Sequence, residues 1–137
     1  NYPGTGAAGE RGEGAGAGTT LNCPLPSGSD GAAVAGALEQ ALLPAAARFR
    51  PDLVLVSAGF DGHRADPLGG FRLTSADFTR LTDLCLAVAA DHAGGRLLSV
   101  LEGGYNLTAL GESCCAHVTA LLAADQAEGA AGGGVQS

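Results

Sequence analysis

The chain has 137 residues, 46% apolar but only 4% aromatic, with 23 glycines and a formal net charge of −7. That length holds one domain or part of one. Seven basic against fourteen acidic residues leave no basic stripe, which argues against direct nucleic-acid binding; the acidic surface serves either solubility or a cationic partner.

The sequence opens on Asn1 and contains no Met, so the expectation is a partial domain that lacks its N-terminal part. Cys23, Cys85, Cys114 and Cys115 form no Cys-x-x-Cys pair. Free thiols in a reducing compartment follow, hence an intracellular protein, cytoplasmic or nuclear. No signal segment and no apolar run of membrane-spanning length is read, and no membrane partner is expected.

Asn1 to Gly18 reads as loop, turn-rich at Tyr2-Pro3-Gly4-Thr5-Gly6 and then glycine-rich through Gly18. A phosphate cradle is one reading; a tightly turning loop is the other, because no Gly-Lys-Ser/Thr follows. Thr19 to Pro24 is a short extended segment. Asp30 is placed to cap a helix whose face is Val34, Leu38, Leu42, Ala46 and Phe49. Pro44 lacks the N–H that would reach Gln40, so a kink or break is expected there.

Leu53 to Ser57 is a buried strand, apolar on both faces, as in a parallel sheet with helices above and below. Thr74 or Ser75 then caps a helix bearing Phe78, Leu81, Cys85 and Val88, which Gly94-Gly95 ends. Leu97 to Leu101 is a second buried strand. A third helix carries Leu107, Leu110, Cys114, Val118 and Leu121. From about Asp125 the chain loses apolar periodicity and reads as a disordered tail. The order α-β-α-β-α predicts parallel strands in an α/β sheet, with both strands ending in polar loops at one edge. Asp61 and Tyr105 are thereby brought to one site.

The chemistry lies in those loops. Asp61 follows a buried strand and Gly59, where a carboxylate can ligate a divalent metal, act as a base or simply accept backbone N–H bonds. Asp66 precedes Pro67, a pairing that commonly fixes a turn. His63 is expected at the rim of the site rather than as a ligand. Gly103 and Gly104 let the backbone pass close to a ligand before Tyr105, whose phenol can donate to a developing oxyanion or merely pack. Glu102 is either a base or a partner in an ion pair. His92 and His117 lie on helices and read as surface or core residues. No Gly-x-Ser-x-Gly elbow accompanies Ser57 or Ser99.

Three stretches together, Tyr2 to Gly6, Leu53 to Asp61 with Asp66-Pro67-Leu68-Gly69-Gly70, and Leu101-Glu102-Gly103-Gly104-Tyr105, resemble the histone deacetylase superfamily. The likeness is to class II deacetylases and acetylpolyamine amidohydrolases, and it covers about residues 1–123, with 124–137 as the tail. It implies an arginase-like fold, an open parallel sheet flanked by helices, present as a partial domain. It implies a Zn2+ cofactor with Asp61 as one ligand, and Tyr105 as the catalytic donor to the substrate carbonyl. It also implies Tyr2 and Leu68 as channel walls, with Gly103 and Gly104 under the channel floor. The substrate would be an acetylated protein lysine or an acetylpolyamine. The family's Asp-x-His ligand motif and paired histidines are not in this sequence, so the chain is expected to be inactive alone. The alternative is a non-catalytic interaction module that keeps the deacetylase fold.

Overall fold

The computed structural model describes residues 4–132, with side chains as far as Gln126. Its elements are α1 (Gly31–Ala37), a π-helical turn (Leu38–Leu42), α2 (Leu43–Phe49), β1 (Val54–Ala58), α3 (Ser75–His92), β2 (Leu97–Leu101) and α4 (Leu107–Gly132), preceded by a single 3-10 turn at Gly14–Gly16. The glycine-rich stretch folds back on itself, with the Gly18 N–H donating to Arg11 O at 2.6 Å. It opens onto no helix N-terminus, the geometry a phosphate cradle uses. Thr19 to Pro24 joins no strand.

Helix starts follow the sequence closely. Asp30 caps α1 by accepting from the Ala33 N–H at 2.9 Å. Thr74 caps α3, and Asp77 closes the box by accepting from the Thr74 N–H and Oγ1, each at 2.7 Å. Gly94 and Gly95 end α3 in left-handed conformations, the Gly95 N–H reaching back to Ala89 O at 3.0 Å. Pro44 produces something other than a break. The helix widens to i→i+5 bonding ahead of it, with the Leu43 N–H donating to Leu38 O. Pro44 then sits in the first turn of α2, where an absent N–H costs no bond.

The strands pair in parallel, Val54 opposite Leu97 through Ala58 opposite Leu101. β1 therefore starts and ends one residue later than the apolar run indicates. α3 connects the two strands and packs on both. The core is Ala58, Phe60, Leu73 and Phe78, with Val34, Val56, Phe71, Leu81 and Leu110 against it. Phe60 and Phe78 meet edge to face, centroids 5.0 Å apart. The opposite face of the sheet presents Leu55, Leu98 and Val100, 67%, 56% and 52% exposed. Helices above and below would bury both faces; among the described residues only one is buried.

α4 packs mainly on α3 through Ala109, Ser113, His117 and Ala120, all buried. It runs on to Gly132, past the point near Asp125 where apolar periodicity stops. Its Leu107–Gln126 stretch reaches the length and mean hydropathy (1.3) of a membrane span, by composition alone. No apolar run of that length is expected from the sequence. Only 22% of that stretch is buried: Ala109 and Ala120 press inward, while Leu107, Val118 and Leu122 are exposed.

Candidate functional site

Both strands point their carboxyl ends at one edge, and two loops meet there. Hydrogen bonding carries on past the strands: the Glu102 N–H donates to Ala58 O at 3.0 Å and the Phe60 N–H to Gly103 O at 2.8 Å. This extension brings Asp61 beside Gly103. A Cβ at Gly103 would lie 3.0 Å from the Asp61 carboxyl carbon, a tight contact that would oblige the carboxylate to shift by a few tenths of an ångström. At Gly104, φ is +140°, and a Cβ would press on Leu110 at 2.7 Å. Gly103 thus leaves room for the acidic side chain, and Gly104 supplies the backbone shape ahead of α4.

The two aspartates of the first loop differ in their partners. Among the described residues the half-buried Asp61 carboxylate accepts no protein hydrogen bond, which leaves its oxygens available to a ligand. Asp66 is saturated. Its Oδ1 accepts from the Leu68 N–H at 2.9 Å and the Gly69 N–H at 3.0 Å, and its Oδ2 from the Tyr105 N–H at 2.7 Å. Partial desolvation raises its pKa, but hydrogen bonds from Tyr105, Leu68, Gly69 and Asn106 outweigh that and hold it below the usual carboxylate value. Asn106 adds a second latch, donating through Nδ2 to Ala65 O at 3.0 Å while its Oδ1 caps α4 at Ala109.

Tyr105 stands 57% exposed and Leu68 73% exposed at this edge, so both are open to a ligand. Tyr2 lies outside the described residues. His63 is buried at 8% exposure. Its Nδ1 accepts from the Ala65 N–H at 3.1 Å, and its Nε2 faces Ser75 Oγ at 3.5 Å. It is a packing residue of the loop, which a bridge between His63 and Leu73 closes. His117 is also internal. It sits between Thr82 Oγ1 at 2.7 Å and Ser99 Oγ at 2.9 Å, while the Thr82 hydroxyl donates to Phe78 O at 2.6 Å. That order makes His117 Nδ1 the donor and Nε2 the acceptor, the neutral tautomer, and burial pushes its pKa down in agreement.

Sequence reasoning missed the bracing role of Asp66 and Asn106. The signal was present for Asn106, which stands three residues before Ala109 at a helix start. For Asp66 the local Asp-Pro turn was legible, but its bond to Tyr105 crosses 39 positions and has no local signature. The four cysteines are free thiols. Burial raises the pKa of Cys85 and Cys114, the latter further through Cys115, so neither is a ready nucleophile.

Zinc fits this chain only in part. Catalytic zinc takes three protein ligands and an open position. Among the described residues no group of three or more His, Cys, Asp or Glu side chains converges. Asp61 is a single free donor, and no step of chemistry through a metal follows from these residues alone.

The family model of the histone deacetylase domain matches residues 1–121. Histone deacetylase 10, chloroplastic, of Oryza sativa subsp. japonica is 48% identical over 122 residues, covering 89% of this chain and 28% of that protein. The polyamine deacetylase HDAC10 of Homo sapiens is 46% identical over 112 residues, 81% of this chain and 16% of that one. Among solved structures, the HD domain of HDA15 superposes with a TM-score of 0.81 at 41% identity, covering 90% of this chain and 34% of that one. The histone deacetylase Clr3 gives the same TM-score at 38% identity. The chain spans under a third of the length of the first of these relatives, and over that span its fold is theirs: it belongs to the histone deacetylase family.

Proposed function

We propose that this chain supplies one edge of the active site of a zinc-dependent deacetylase, which hydrolyses the amide of an acetylated protein lysine or an acetylpolyamine. The observation that carries the reading is the juxtaposition at the sheet edge: a carboxylate without a hydrogen-bond partner among the described residues, Asp61, packed against Gly103 two residues before an exposed tyrosine. In this reading Asp61 is one ligand of the zinc, and Tyr105 donates its phenol to the substrate carbonyl as negative charge develops on the oxygen. Leu68, with Tyr2, walls the channel for the acetylated alkylamine chain, and the glycines keep the floor clear. The remaining metal donors and the base come from polypeptide beyond these 137 residues. The free cysteines agree with an intracellular setting.

One ligand and one oxyanion donor do not make a hydrolase, so the chain alone is inactive. The test compares the chain, with added zinc, against the whole protein that carries it, on an acetyl-lysine peptide and on an acetylpolyamine. Turnover by the whole protein and none by the chain is the expected result. Robust turnover by the chain alone overturns the division of the site. The bare sheet face of Leu55, Leu98 and Val100 favours a second reading, a non-catalytic interaction module with the deacetylase fold. A whole protein that binds partners but turns over neither substrate selects it.

A further inference from the structure

We infer that Asp66 is a positioning residue for Tyr105: one carboxylate grips the tyrosine's backbone amide with one oxygen and the Leu68–Gly69 amides with the other, and so sets the phenol's distance from the Leu68 wall. This rests on the role proposed above for Tyr105.

The geometry has few alternatives. Tyr105 follows Gly103 and Gly104, a stretch with little conformational preference of its own, and Gly104 already occupies φ +140°. Something must hold the backbone just ahead of α4. The Asp66 Oδ2 bond at 2.7 Å falls on the N–H of the functional residue itself. The other oxygen holds Leu68 and Gly69 at 2.9 and 3.0 Å. Charge-assisted bonds of this kind are about twice as strong as neutral ones. Asn106 braces the neighbouring position through Ala65 O, so the two loops are tied on either side of the tyrosine amide. Asp61, five positions earlier, is left out of this network and free for a ligand. The loop thus divides its two carboxylates between chemistry and bracing.

Asp66→Asn separates this role from plain stability. The amide group can present only one oxygen, so one set of N–H donors loses its acceptor and faces an NH2 group. In the chain itself, hydrogen exchange should show protection of the Tyr105 amide falling by about tenfold or more, with β1 and α3 amides unchanged. In the whole protein, kcat should fall by about tenfold with KM moving less than about twofold, within the ~10²-fold cost of misplacing a reacting group by an ångström. The decisive comparison adds Tyr105→Phe. If Asp66 acts through the phenol, the double variant should be no slower than Tyr105→Phe alone; a merely structural role makes the two losses multiply. Unchanged protection at Tyr105, or multiplying losses, overturns the inference. A whole protein with no turnover sinks the deacetylase reading instead, and the exchange measurement still decides whether Asp66 holds the tyrosine.

Discussion

The two faces of the β1–β2 sheet have almost the same composition and opposite fates. Val54, Val56 and Ala58 on β1, with Leu97 and Ser99 on β2, point toward α3 and are buried or half-buried, and only Leu101 at the end of that side of β2 is exposed. Leu55, Leu98 and Val100 point the other way and are more than half exposed. Strands apolar on both faces belong to sheets covered on both sides. The finished face holds the strand ends, and through them Asp61 and Tyr105, in register. The bare face leaves apolar surface for further structure to cover, in line with a first relative of which this chain covers 28%. Much of the site is therefore supported from one side.

The sharpest way to break that support is Phe78→Ala. Phe78 is 6% exposed and packs edge to face on Phe60, which leads directly into Asp61. Truncation should cost about 3–5 kcal/mol, read as a fall in the urea midpoint, because both the transfer term and the cavity fall on the finished face. Loss of the Asp61 loop's amide protection should accompany it.

A smaller effect tests the polar seam that joins α3, α4 and β2. Thr82→Val removes the acceptor of the His117 Nδ1–H and should cost about 1–3 kcal/mol by urea denaturation. The same seam predicts a pH dependence. Burial holds the His117 pKa below its ordinary 6.5, so the unfolded chain takes up a proton before the folded one does. Stability should be fully present above about 6.5 and be lost as pH falls through the lowered folded value. Replacing His117 with Gln should flatten that part of the profile in a series of melts from pH 7.5 to 5.

Helix capping ranks next. Thr74→Ala opens the box with Asp77 and should cost about 1 kcal/mol by the same measurement. This cap also shows what was legible in the sequence. Thr74, Asp30, Gly94-Gly95 and the β2 limits act within a few residues, so local spacing revealed them. The widened turn before Pro44 was missed because a proline states only which bond is absent, not how the helix relaxes around it. Asp61 and Tyr105 could be placed at one edge from the parallel βαβ order alone. The division of labour between Asp61 and Asp66 could not, because it depends on which carboxylate meets the Tyr105 amide across the gap between loops. The exposure of Leu55 and Leu98 was equally hidden: their sequence pattern states that a face wants cover, not whether the described residues provide it.

The bare face supplies the smallest effect on stability. Leu55→Ser and Leu98→Ser stand at paired register positions and remove apolar surface already in water. Each should shift the urea midpoint of the chain by no more than about 0.5 kcal/mol equivalent. The same pair should act strongly elsewhere. An exposed apolar face flanked by unpaired strand edges invites association, so light scattering of the double variant should show less self-association than the parent chain. In the whole protein the substitutions should become costly, because there the face is expected to be covered and each serine hydroxyl would need a partner. Equal, small effects in both settings would mean that the face stays in water, and the contrast between the two sides would then concern solvent exposure alone rather than an incomplete core.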